Sequence, residues 1–288
     1  MKFGLHFPQA EIPHDFGIIR SYLQTGEALG FSHINVPDHV IQTRTPIADS
    51  PLAANYTTEF PHHEAMSVLA FAAGVTERIK LKTAVLILPQ RQTVLVAKQA
   101  AQIDVLSGGR LQLGVGIGWN DPEYVALNEN FKNRASRMEE QIEVLRALWS
   151  EQHVTFSGKW HEIEDSGLAP MPIQRPIPVW VGAFQPPAIA RAARIADGWQ
   201  AMLPAPSEQA TQVFENFRTQ VAEAGRDPKT VGIEATIFAR DLNEEGWAQQ
   251  VQGWIDCGAT QIVFRPQASF EQIEPMVSAF ANIMKDFS

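Results

Sequence analysis

Eight times along this chain a short apolar run is followed by a segment of helical period. That alternation constrains the fold more than any other feature. The strand-like runs are Phe3–Pro8, Ser32–Val36, Ile79–Leu88, the run Leu111 to Val115, Val179–Ala183, Trp199–Leu203, Thr230–Ala239 and Thr260–Phe264. Between them, apolar residues recur every three to four positions. Val94, Ala97, Ala101 and Val105 form one such stripe, and Met138, Ile142, Leu145 and Trp149 another. Gly30, Gly225 and Gly258 stand where helices should stop, and Pro186-Pro187 where one should open. Eight β/α units with no break in composition predict an α/β fold, a closed (β/α)8 TIM barrel over residues 1–288 as one domain. A doubly wound sheet is the alternative, but it rarely alternates eight times without a second domain. Two excursions interrupt the pattern. Residues 41–62 leave strand two, and residues 152–177 precede strand five with a small hairpin expected around Ser157-Gly158.

Bulk properties narrow the function. A net charge of −9 argues against nucleic acid or a membrane surface as partner. One cysteine, Cys257, excludes an internal disulfide framework and fits a reducing cytoplasm. The first residues read as a strand, without the apolar core of a signal peptide.

Barrel geometry sorts the remaining residues. Helix-to-strand turns lie at the bottom and stabilise; strand C-termini form the site. Ser107-Gly108-Gly109-Arg110 and Asp197-Gly198-Trp199 are therefore structural turns. The top face holds His6, Asp38, His39, the Leu86–Pro89 exit, Gly116, Gly118, Trp119, Gly182, Ala183 and Arg265. Glycines at a strand exit allow close approach of a backbone or a flat ligand. The order Gly114-x-Gly116-x-Gly118 is not a dinucleotide fingerprint. No metal-ligand spacing and no nucleophile elbow is present, so a bound cofactor is expected to carry the chemistry.

Residues 95–149, with Leu95 to Trp119 at their centre, resemble the bacterial luciferase-like superfamily of flavin- and deazaflavin-dependent oxidoreductases. Glu123, Arg137, Glu139, Val36-Pro-Asp-His39, Thr83 to Pro89, Pro178 to Gly182 and Ala193 to Trp199 extend the resemblance. It implies a ring cofactor at the strand C-termini, touching Ala84, Val85, Gly116, Gly118, Trp119, Gly182 and Ala183. It also implies a non-prolyl cis bond at Ala84-Val85. The cofactor phosphate is expected beside Gly182 and Ala183, at the free N–H groups of the helix that Pro186 opens. The Pro-Asp-His exit looks closer to the members that use coenzyme F420 than to those that use FMN. Trp119 stands where the deazaflavin sugar-phosphate dehydrogenases carry a glutamate, which argues against that substrate.

The expected function is hydride transfer between coenzyme F420 and a small organic substrate. His39 is the expected proton-handling group, oriented by Asp38, with His6 second and Arg265 toward the substrate. The alternatives are an FMN-dependent monooxygenase supplied by a flavin reductase, and a non-catalytic flavin-binding barrel. The resemblance also implies a homodimer. Residues 41–62 are expected to form a mobile cover over the substrate side.

Overall fold

The structure, a computed structural model, describes residues 1–44 and 56–287. In chain order the strands are β1 (Lys2–His6), β2 (His33–Val36), β3 (Lys80–Thr83), β4 (Leu86–Ile87), β5 (Leu111–Gly116), β6 (Val154–Ser157), β7 (Glu162–Ser166), β8 (Val179–Ala183), β9 (Gly198–Ala201), β10 (Gly232–Phe238) and β11 (Gln261–Arg265). The helices are α1 (Phe16–Ala28), α2 (Ala65–Val75), α3 (Thr93–Leu106), α4 (Asp121–Ala126), α5 (Arg134–Ser150), α6 (Pro186–Ile195), α7 (Glu208–Glu223), α8 (Glu244–Asp256) and α9 (Phe270–Lys285). Parallel pairing runs β1, β2, β3, β5, β8, β9, β10, β11, and β11 returns to β1 through Phe3↔Ile262. The chain is the closed eight-stranded α/β barrel that its alternation predicts.

The third strand departs from expectation. Instead of one run from Ile79 to Leu88, it breaks at a cis Ala84–Val85 bond, at the expected position, and resumes as β4 against β5. The helix α4 was not anticipated: Asn120 precedes it and Pro122 sits in its first turn. The insertion before β8 forms the β6–β7 hairpin. It starts at the bottom of the barrel, as expected, but its tip climbs along α5. There Glu140 accepts from the Lys159 and Trp160 amides at 2.8 Å, and His161 Nε2 lies 2.6 Å from Thr93 Oγ1 at the start of α3. Of the expected cover at 41–62, residues 45–55 lie outside the described residues. Among the described residues no helix is long and apolar enough to cross a membrane.

The strands form because each is covered on both sides. Leu5, Ile34, Leu81, Leu113, Ile233 and Ile262 are fully buried in the core between strands and helices. Their sequence neighbours face the barrel interior, and that interior is polar. Lys82 Nζ donates to Glu234 Oε2 at 2.6 Å, and His33 Nε2 meets the same oxygen at 3.0 Å. Asn35 and Gln200 amides donate to Glu234 Oε1 at 2.8 and 3.1 Å. The Lys82 ammonium also lies 3.4 Å from the centre of the Trp180 ring. Glycine makes room for these side chains: a Cβ at Gly198 or Gly232 would fall 2.4 or 2.3 Å from the Trp180 ring. The two bottom turns are structural. Arg110 donates to the carbonyls of Ile79 and Thr76 at 2.7 and 2.8 Å. Asp197 Oδ2 accepts from the Val179 amide at 2.8 Å.

Burial pushes the Lys82 ammonium down to about 8, against the pull of Glu234. Burial also opposes the charge on Glu234, but Lys82 and His33 outweigh it and hold that carboxyl well below the usual range. Lys82→Met leaves a buried carboxylate without its cation and is expected to cost about 3–5 kcal/mol near neutral pH. The double variant Lys82→Met/Glu234→Gln should recover most of that loss in urea unfolding. The pH dependence has a definite sign. Between about 8 and the unfolded lysine value of about 10.4, the unfolded chain holds a proton that the folded chain has lost. The stability gap between the native protein and Lys82→Met should therefore widen with pH across that window. A narrowing gap would place the folded pKa of Lys82 above its unfolded value.

Candidate active site

A cavity of about 450 Å³ opens at the C-terminal ends of the strands. It gathers the sequence-predicted residues from six different strand exits or their loops. His6 comes from β1, Asp38 and His39 follow β2, and Ala84 and Val85 lie between β3 and β4. Gly116, Gly118 and Trp119 come from the β5 exit, Gly182 and Ala183 from β8, and Arg265 from β11. Several residues not singled out from sequence also line it, including Tyr56, Phe131, Arg134, Gln200, Glu234 and Phe238.

His39 is nearly buried, and its Nδ1 lies 3.0 Å from Glu123 Oε2. Glu123, in the first turn of α4, also accepts from the Val40 amide at 2.6 Å and from Gln90 Nε2 at 3.1 Å. Burial disfavours its charge, but the His39 hydrogen bond, the His39 charge and the amide of Val40 outweigh burial and hold the carboxyl below its ordinary range. With Nδ1 committed to Glu123, Nε2 is the ring nitrogen left for a ligand. Tyr56 and Trp119 pack edge-on against the imidazole, with ring centroids 4.4 and 5.7 Å away.

The expected pairing of Asp38 with His39 is not what the structure places there. Asp38 Oδ1 is 2.7 Å from Arg91 Nη2, and Oδ2 accepts from the Ile87 amide at 3.1 Å. Asp38 therefore ties β4 to the β2 exit, and Glu123 orients His39. Neighbouring position in sequence suggested Asp38; the partner the structure places there lies 84 positions away, at a residue the sequence marked only as part of the family resemblance. Burial, reinforced by the charge of Arg265, holds His6 well below the usual imidazole range. This favours its neutral form at the cavity floor.

The strand-exit glycines serve a side chain. A Cβ on Gly116 or on Gly182 would fall 2.6 Å from a methyl of Val85. Val85 thus rests in a seat that two glycines open, and it fills part of the cavity wall. Gly118 has φ +63, a conformation L side chains rarely adopt. The first turn of α6, expected to hold the cofactor phosphate beside Gly182 and Ala183, offers few amides to an anion. Pro186 and Pro187 carry no N–H, and the amides of Ala188 and Ile189 donate to Gln185 at 2.9 and 3.0 Å. A cation is present instead. Arg134 lies 3.6 Å from the Phe131 ring centre, with a buried Nε that has no partner.

A closed parallel barrel with a glycine-seated wall, a histidine–glutamate pair and a cavity at its strand C-termini defines a TIM barrel with its site at the strand exits. The comparisons sharpen that class. The luciferase-like monooxygenase family profile matches residues 2–278, and this chain belongs to that family. An uncharacterized protein of Mycobacterium tuberculosis is 34% identical over 286 residues, covering 97% of this chain and 96% of its own. An FMNH2-dependent dimethylsulfone monooxygenase of Pseudomonas fluorescens is 31% identical, over 86% of this chain and 65% of its own. Among solved structures, an F420-dependent secondary alcohol dehydrogenase bound to an F420-acetone adduct superposes with a TM-score of 0.79. Its identity is 16%, over 98% of this chain and 97% of its own, so that likeness is one of fold.

Two predictions follow from these contacts. Gly182→Ala should cost about 1–3 kcal/mol, because Val85 must move. In a Val85→Ala background the same change should cost less, and a double-mutant cycle in denaturant reads the difference. Glu123→Gln replaces one acceptor oxygen by an amide donor. It should cost about 1–3 kcal/mol and shift the His39 tautomer, read from the imidazole 15N chemical shifts.

Proposed function

We propose that this protein is an oxidoreductase that uses coenzyme F420 to exchange a hydride with a small organic substrate, with His39 handling the substrate's proton. The observation that carries the choice of cofactor is the double proline at α6. A terminal phosphate monoester, as in FMN, is doubly charged and is commonly cradled by amides at a helix N-terminus. Here the first two helical positions are prolines, and the next two amides donate to the Gln185 carbonyl. The phosphate of F420 is a singly charged diester, and one guanidinium, that of Arg134, matches it.

The cavity suits a flat ring. Its volume lies in the range of ligand sites, and Val85 presents an apolar shelf between the exits of β5 and β8. Bound there, the deazaflavin would supply hydride acceptor or donor chemistry. The chain's own residues do the rest. Glu123 fixes the orientation of the His39 ring. His39 Nε2 holds or takes the proton at the reacting oxygen of the substrate. Tyr56 and Trp119 pack around the imidazole and keep water from it.

A second reading, an FMN-dependent monooxygenase fed by a separate reductase, is favoured by the 31% identity to the dimethylsulfone enzyme. Equilibrium titration with each cofactor, followed by its visible absorbance, separates the two. F420 should bind more tightly than FMN, and tighter binding of FMN would reverse the assignment. His39→Ala should lower the rate of F420 turnover by about 10²–10⁴-fold while leaving its affinity within a few-fold. Near-normal turnover across the pH range would leave His39 a binding residue.

A further inference from the structure

Every other cation at the cavity or its wall has an acceptor. Lys82 pairs with Glu234, Arg91 pairs with Asp38 and Glu64, and Arg134 donates to the Phe131 carbonyl. Arg265 differs. It ends β11, lines the cavity, and its guanidinium has neither a hydrogen-bond acceptor nor a carboxylate within 4.0 Å among the described residues. Its guanidinium carbon lies 5.8 Å from the Phe238 ring centre. The carboxylates nearest the cavity are already engaged: Glu234 by Lys82 and His33, and Glu123 by His39. The Arg265 charge therefore acts on neighbouring groups, and is among the influences that lower His6, in the cavity wall, and His62.

We propose that the substrate is a carboxylate, docked through its two oxygens on Arg265, with its reacting carbon toward His39. A guanidinium presents a planar fork that matches a carboxylate in two parallel hydrogen bonds. A cation taken partly out of water with no counter-charge gains most from such a partner. Between the two groups the walls are Tyr56, Trp119 and Phe238, so the body of the substrate is small and apolar or aromatic. This inference rests on reading the cavity as the active site; it names the class of substrate that site accepts.

Calorimetric titration of the cofactor-free protein, and of the protein saturated with F420, tests it with three isosteric probes: benzoate, benzamide and benzenesulfonate. Benzoate should bind about tenfold to a hundredfold more tightly than benzamide. Arg265→Gln should bring the two within about twofold, and Arg265→Lys should keep part of the difference. Circular dichroism and an F420 titration of Arg265→Gln accompany the measurement. Equal binding of benzoate and benzamide to the native protein overturns the proposal, as does stronger binding of benzenesulfonate. A loss of F420 affinity in Arg265→Gln also overturns it, since Arg265 would then serve the cofactor. If native protein binds no F420 yet prefers benzoate through Arg265, the cofactor reading fails and the carboxylate assignment stands.

Discussion

One ion pair in the middle of the barrel organises the rest. Lys82 and Glu234 reach across from opposite walls, and His33, Asn35 and Gln200 close around the same carboxylate. A parallel barrel must fill its own centre. Filling it with charge requires that each charge be matched, because an unmatched buried charge is costly. That requirement fixes which residue of each strand points inward. It also leaves the outward residues free to be apolar and to hold the helices.

The same logic repeats one layer higher, with a different outcome. Near the strand exits the polar groups no longer close on themselves. Glu123 collects His39, Gln90 and a loop amide, and this leaves one imidazole nitrogen without a protein partner. Arg265 is left without a carboxylate among the described residues. Val85, lowered onto two glycines, supplies an apolar surface between these unfinished polar groups.

How much of this could be read from the sequence follows from range. The barrel was legible because the strand–helix alternation is local and repeats eight times. The cavity residues were legible because the fold assigns strand exits to one face, and the resemblance located the cis bond. Partnerships between side chains were not. Asp38 stands beside His39 in sequence, yet its carboxylate turns to Arg91, and Glu123 reaches His39 from another element. The helix opened by Pro186 looked like an anion cradle because prolines favour a first turn. The same prolines remove the N–H groups that a cradle needs. Lys82 read as one position in an apolar strand, since nothing nearby in sequence reveals a carboxylate 152 residues away.

Trp180 carries a consequence for how this sequence can vary. Its indole lies across Gly198 and Gly232, on the two strands that follow, and under the Lys82 ammonium. The Asp-Gly-Trp turn at the start of β9 therefore records a shape imposed by a different strand. Three positions far apart in the chain are locked into one steric choice: a large ring at 180 demands no side chain at 198 or 232. Drift at any one of them is tolerated only if the others change with it. Among descendants of this barrel, substitutions at these sites should arrive as correlated sets and not singly.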